Sequence, residues 1–152
     1  MITSKLTALE AMAEIEAGRL TSEDLIEACL DRIAKREPTV NAWQFIDPDL
    51  ARAAARSADT QPIGASLRGI PIAVKDIFDT ADMPTTYGSP IYKGHRPAAD
   101  SSPVARARAG GAVILGKTVT TEFAYFHPGN TANPHDPERT PGGSSSGSGV
   151  LT

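Results

Sequence analysis

Over the first sixty residues, apolar positions recur at helical spacing. Leu6, Leu9, Met12 and Ile15 predict a short helix, and Thr7 with Glu10 fits a capping box at its start. Gly18 ends that segment. Ser22 opens a second helix with Leu25, Ile26, Cys29, Leu30 and Ile33 on one face, and Pro38 marks its exit. Cys29 lies on this apolar stripe, so it reads as core filling and not as a nucleophile. "NAWQFID" is a short extended piece. Asp47 then serves as N-cap, with Pro48 at the first helical position of an Ala- and Arg-rich helix.

The pattern changes at "QPIGASLRG", where Gly and Pro become frequent and apolar runs become short. "GIPIAVKD" predicts a buried strand, because Ile70, Ile72 and Val74 alternate, and Pro71 suggests its start or a sheet edge. "DTADMPTTYGSPIYKGHRPAAD" is a long irregular loop, and loops of that length in a compact chain are usually functional or disordered. Ser102 before Pro103 opens a helix that closes on Gly110, and "GAVILGK" is a second buried strand. Strand, helix and strand in that order predict a βαβ unit. "FHPGNTANPHDPERTPGG" is too rich in Pro and Gly for either regular element. The whole reads as α/β, one domain over 1–152. A helical region over 1–60 packs on the start of a mixed sheet built from 61–152.

Composition narrows the function classes. Of 152 residues, 40% are hydrophobic and 22% charged, the balance of a folded globular domain. The formal net charge of −3 offers no basic face for nucleic acid or an anionic membrane. No apolar run is long enough to span a bilayer, and the N-terminus lacks the features of a signal peptide. A single cysteine rules out an intrachain disulfide and makes a reducing cytoplasm the expected compartment.

Two motifs match known patterns without their contexts. Residues 111–118, "GAVILGKT", fit the phosphate-loop pattern, but Ala112, Val113, Ile114 and Leu115 form the strand itself where the cradle should be. Residues 143–147, "GSSSG", fit the nucleophile elbow around Ser145, but no strand leads in, and all three histidines (His95, His127, His135) precede the serine. Those histidines are widely spaced in proline-rich loops and form no metal-binding pair on one helix face. They read as loop residues that bond locally or face solvent.

"TPGGSSSGSG" has the composition of a flexible linker. Lys75 changes that reading. It follows "GIPIAV" at the end of an apolar strand and precedes Asp76. The plain reading is a surfaced lysine paired with a carboxylate. A serine loop beside it offers another: serine chemistry with lysine in place of histidine as the base. The lysine must then be neutral when it acts, about three pH units below its ordinary value, a difference of roughly 4 kcal/mol. Burial and a proton-sharing hydroxyl could supply this.

Taken together, "GIPIAVKDIFDTADMPT", "GGAVILGKTVTTEFA" and "TPGGSSSGSG" resemble the amidase signature family, in order and separation, from about Leu6 to Gly149. Within it, "TPGGSSSGS" and "GSPIYKGHRP" are most similar to small bacterial amidases of the malonamidase type. The resemblance implies the amidase signature fold and a Ser–Ser–Lys triad. Lys75 matches the catalytic lysine, and Ser144 matches the serine that relays protons to the nucleophile. It also implies a cis peptide between Gly143 and Ser144 and a rigid loop, with Gly143 and Ser145 as loop support or substrate-binding residues.

The implied substrate is a small carboxamide, hydrolysed with neither metal nor organic cofactor. The implied nucleophile lies in a further Gly-rich motif past Thr152, so the 152 residues alone are expected to be inactive. "GVLT" also stands where the family starts an alanine-rich helix. A fragment, a truncated gene product and a cleaved protein all fit. A glutamine-amidase subunit of a tRNA-dependent amidotransferase and an inactive remnant remain as alternatives. A homodimer is open, and uncovered apolar sheet surface predicts self-association.

Overall fold

The computed structural model describes residues 3–61 and 65–151. Residues 62–64, in the stretch where Gly and Pro become frequent, and the terminal Thr152 lie outside the described residues. The chain divides into two compact units. One holds residues 1–35, 47–72 and 106–115, and the other holds 36–46, 73–105 and 116–152.

The first unit is built on helices. Helix α1 (Ala8–Glu16) starts with the capping box read from the sequence: the Glu10 amide donates to Thr7 Oγ1 and the Thr7 amide donates to Glu10 Oε2. Its buried positions are Ala11 and Ile15, which cluster with Leu25 and Ile70 against the partly buried Leu6, Met12, Leu20 and Cys29. Leu9 departs from the expected stripe and is 77% exposed. At about 100° per residue a three-residue spacing drifts off the face, and Leu9 falls roughly 120° from Ile15.

Helix α2 (Ser22–Val40) begins where the sequence places it, but its cap comes from elsewhere. The Asp59 carboxylate, at the end of α3 (Pro48–Asp59), accepts from the Ser22 and Glu23 amides at 2.7 and 3.1 Å. The Ser22 hydroxyl donates instead to the Gly69 carbonyl. Asp47 caps α3 by accepting from the amides of Asp49 and Leu50, with Pro48 at the first helical position. The alanines of α3 at 51, 55 and 58 face inward, while Arg52 and Arg56 reach Glu27 and Glu23 of α2. Cys29 sits against the core as filling, and burial pushes its thiol pKa up.

The second unit carries the end of α2 and most of a three-stranded sheet. Pro38 is not the exit of α2, which continues to Val40. The Glu37 carbonyl still accepts from the Asn41 amide, and the Glu37 carboxylate takes the amides of Ala42 and Trp43. The chain leaving the helix therefore finds acceptors without a break at the proline.

Strand order is β1 (Trp43–Ile46), β3 (Val113–Thr118), β2 (Pro71–Lys75). β1 runs antiparallel to β3, with Phe45 opposite Lys117 and Ile46 opposite Gly116. β2 and β3 run in the same direction, since Val113 bonds Ile70 at one end and Asp76 bonds Thr118 at the other. The sheet is thus mixed, and β2, α4 (Ser102–Ala109) and β3 follow in the expected order. Every residue of β3 is buried. In β2 only Val74 is buried and Ala73 is exposed, so the strand is less enclosed than its alternation suggests. The loop between β2 and α4 is ordered from within. Thr80, Met83 and Thr85 are buried, and the Thr85 amide donates to the His95 carbonyl.

The close approach of β1 to β3 depends on Gly116, where an added Cβ would lie 2.6 Å from the Phe45 carbonyl oxygen and 2.9 Å from the Trp43 ring. Gly116→Ala is expected to lower stability by about 1–3 kcal/mol, as overpacking does. Gly149→Ala, whose added carbon meets nothing within 4 Å, should leave the denaturation midpoint nearly unchanged.

Candidate active site

Lys75 is the last residue of β2 and half-buried. Its ammonium nitrogen donates to Ser144 Oγ at 2.6 Å. Sixty-nine residues separate the two in sequence, so the fold and not local geometry makes this contact. Burial holds the Lys75 amine below the ordinary lysine range.

Ser144 sits in the Gly/Ser tract, and that tract is anchored at several points. The Gly143–Ser144 peptide is cis. The Ser144 carbonyl accepts from the Thr121 amide at 3.0 Å. The Ser146 hydroxyl donates to the Gly142 carbonyl at 2.7 Å, closing the turn on itself. A short helix, α5 (Ser146–Gly149), follows, so a helical turn does begin ahead of "GVLT". The Gly147 amide donates to the Val119 carbonyl, and Ser148 Oγ lies 2.8 Å from Thr118 Oγ1. At Gly147 a Cβ would stand 2.1 Å from the Ala42 carbonyl oxygen, so only glycine permits the tract to lie this close to the strand backbone.

The serines divide their work differently from the sequence reading. Ser145 is exposed, and its side chain makes no capping bond to α5. The hydroxyl that braces the loop belongs to Ser146, which the sequence did not single out. Its position four residues past Gly142, reaching back to that carbonyl, resembles ordinary turn chemistry and carries no pattern of its own.

A second pair lies outside the expected site residues. Lys117 and Asp76 are both 0% exposed, with Nζ 2.9 Å from Oδ1. Lys117 also donates to Thr85 Oγ1 at 2.6 Å and to the Pro84 carbonyl at 3.3 Å. The other oxygen of Asp76 accepts from the Thr86 amide at 2.9 Å and the Thr86 hydroxyl at 2.5 Å. Burial lowers the Lys117 pKa, against the opposing pull of Asp76. The sequence does hold a signal for it: a lysine inside an otherwise apolar strand needs a buried counter-charge, and an aspartate following a strand supplies one. The phosphate-loop pattern matches the same lysine letter for letter and hides that signal. Residues 113–118 form β3, and Lys117 is spent in this ion pair, so no phosphate cradle exists there.

The remaining wall of the site comes from the segment after β3. Phe123 and Ala124 both adopt left-handed backbone, with φ of 49° and 56°. For non-glycine residues this is strained and persists only where neighbours enforce it. Here the Glu122 amide donates to the His127 carbonyl and the Phe123 amide to the Tyr87 carbonyl. The Glu122 carboxylate accepts from Ser89 at 2.6 Å. The bend lines an open cleft of about 460 Å³ whose walls include Thr121, Ala124, Tyr125, Phe126, Gly143 and Ser144. Tyr125 and Phe126 form its exposed aromatic rim. Of the histidines, His127 belongs to this bend through its carbonyl, while His95 packs among Tyr87 and Tyr92.

A profile of the Amidase family matches residues 24–152. The chain belongs to that family. It is 43% identical to a putative amidase AmiD of Mycobacterium tuberculosis, over 98% of this chain and 33% of that protein. It is 46% identical to the A subunit of the glutamyl-tRNA(Gln) amidotransferase of Chloroflexus aurantiacus, over 94% of this chain and 31% of that protein. Among solved structures, the native peptide amidase from Stenotrophomonas maltophilia superposes with a TM-score of 0.86 at 36% identity, over 97% of this chain and 34% of that one. The chain thus spans about a third of the length of the curated relatives it matches.

Loss of the Ser146 hydroxyl should loosen the loop without unfolding the unit. Ser146→Ala is expected to cost about 1 kcal/mol, so exchange of the Thr121 amide, which holds the Ser144 carbonyl, should accelerate roughly fivefold.

Proposed function

We propose that this chain forms the base-bearing part of an amidase that hydrolyses linear carboxamides through a Ser–Ser–Lys triad. The carrying observation is the 2.6 Å bond between Lys75 and Ser144 in a member of the Amidase family. Neutral Lys75 takes the proton of the Ser144 hydroxyl, and Ser144 in turn takes the proton of a nucleophilic serine, which this reading places past Thr152. The nucleophile's oxygen bonds the amide carbon. Collapse of the adduct breaks the C–N bond, the proton returns through Ser144 to the departing amine or ammonia, and water then releases the carboxylic acid. Lys75 and Ser144 are the catalytic residues in this scheme, with Gly143 shaping the loop. A single cysteine favours a reducing cytoplasm as the place of reaction.

A second reading is supported by the 46% identity to the amidotransferase relative. On that reading the substrate is glutamine and the ammonia passes to a partner protein. Ammonia release from glutamine, set beside release from simple aliphatic and aromatic carboxamides, separates the two. Neither substrate should turn over with the 152 residues alone, because on this reading the acyl-accepting hydroxyl lies outside them. Measurable hydrolysis by this chain would overturn the placement of the nucleophile, and a catalytically inert complete protein would favour the remnant.

In the active protein, Lys75→Ala and Ser144→Ala should each lower kcat by at least 10²–10⁴-fold, the range of a lost acid–base group. Ser145→Ala should have little effect.

The pH dependence follows from the depressed amine. Lys75 works only when unprotonated, so activity should rise with pH through its folded pKa. The acid limb should lie below the ordinary lysine value of about 10.4. An acid limb unmoved by Lys75→Arg would sink the assignment of the base.

A further inference from the structure

The mechanism above leaves Lys117 and Asp76 unused, although burying two opposite charges is costly unless each is fully partnered. Their placement is specific. Asp76 directly follows Lys75, and its amide donates to the Thr118 carbonyl at 2.9 Å, tying the end of β2 to the end of β3. Side chains of successive residues in extended backbone point to opposite sides. Lys75 accordingly reaches Ser144, while Asp76 reaches Lys117 and Thr86. The carboxylate therefore stands one residue from the amine that must be neutral to act.

We propose that Lys117 is a positioning residue for Lys75: by clamping and neutralising Asp76 it holds the Lys75 side chain against Ser144 and cancels a negative charge that would keep its amine protonated. This rests on Lys75 being the base, as proposed above.

The charges around the pair are few. The loop after β2 presents Asp79, which accepts from the Tyr87 hydroxyl at 2.6 Å, and Asp82; both act on Lys117. The segment after β3 presents Glu122, bonded to Ser89. β1 and the tract from Thr140 to Gly149 carry no ionisable side chain. Lys117 thus stands among these carboxylates, and the Arg96 guanidinium also reaches this loop, donating to the Asp82 carbonyl at 2.9 Å. An unpaired charge acting over roughly 10 Å at an effective dielectric constant near 20 moves a pKa by about one unit.

The test is substrate-free titration of Lys75, read by NMR of ¹³Cε-labelled lysine in the 152-residue chain, with Lys75→Arg identifying the signal. Lys117→Met should raise the Lys75 midpoint by about one pH unit, because Asp76 is left uncompensated. Asp76→Asn should lower it by a similar amount, because Lys117 is left uncompensated. The Asp76→Asn/Lys117→Met double variant should return it to the starting value. Should Lys117→Met fail to fold, the Asp76→Asn and double variants decide between the same outcomes.

A purely structural pair would move the midpoint in one direction in both single variants, or not at all, and either result overturns the proposal. Opposite shifts in the 152-residue chain, set beside a complete protein that hydrolyses no amide, would refute the amidase reading and leave the charge compensation standing. Amide hydrolysis that needs Lys75, with no shift in its titration, would do the reverse.

Discussion

The end of β3 and the few residues after it hold both halves of the candidate site. Lys117 grips the Asp76 carboxylate, and the Thr118 carbonyl takes the Asp76 amide, so the backbone that carries Lys75 is fixed from one side. Thr118 Oγ1 meets Ser148, the Val119 carbonyl takes the Gly147 amide, and the Thr121 amide holds the Ser144 carbonyl. The 2.6 Å contact between Lys75 and Ser144 is therefore not a chance meeting of two mobile groups. It is the distance left when two segments are pinned to one strand end. A template of this kind explains why β3 is the most completely buried strand of the sheet. Movement there would be transmitted to both partners at once.

Burying an ion pair inside such a template is a demanding choice. Removing one member of a buried pair typically costs on the order of 3–5 kcal/mol, whereas replacing both with apolar groups can be neutral. Stability alone thus gives little reason to keep it. Here the surroundings are built for it: Lys117 has Thr85 and the Pro84 carbonyl besides its counter-charge, Asp76 Oδ2 has two donors from Thr86, and Asp76 Oδ1 has only the ion pair. Thr85 and Thr86 lie in the long loop after β2. The same bonds that satisfy the charges also stitch that loop to the sheet. This accounts for a long irregular segment that is nonetheless buried at Thr80, Met83 and Thr85.

Much of this was legible in the sequence where the determinant is local. The capping box at Thr7, the Asp47–Pro48 helix start and the apolar run of β3 depend on neighbours a few residues away, and each appears where its pattern lies. The failures have one kind of cause. Pro38 should end a helix on local grounds, but the Glu37 carboxylate supplies acceptors that no propensity records. Leu9 belongs to an apolar spacing that drifts off the true face. The Asp59 cap of α2 reaches across more than thirty residues of sequence. Of the site, Lys75 and Ser144 could be picked out, since each sits in a distinctive run. Lys117 carried a signal, a lysine inside an apolar strand, that the phosphate-loop pattern hid; Ser146 and the left-handed turn at Phe123 and Ala124 could not be picked out, because what defines them is the partner each meets in space.

The Gly/Ser tract makes the same point from composition. Glycine and serine lower the cost of disorder, and a tract of eight such residues would ordinarily wander. Whether it does depends on where its backbone groups find partners. In this chain the Ser144 carbonyl, the Gly147 amide and the Gly142 carbonyl are all bonded within the fold, and Gly147 approaches the strand too closely for any side chain. Small residues here are a condition for close packing, not a sign of freedom. The Ser144 hydroxyl can then be held a fixed distance from the half-buried Lys75 amine, which a flexible linker of identical composition could not achieve.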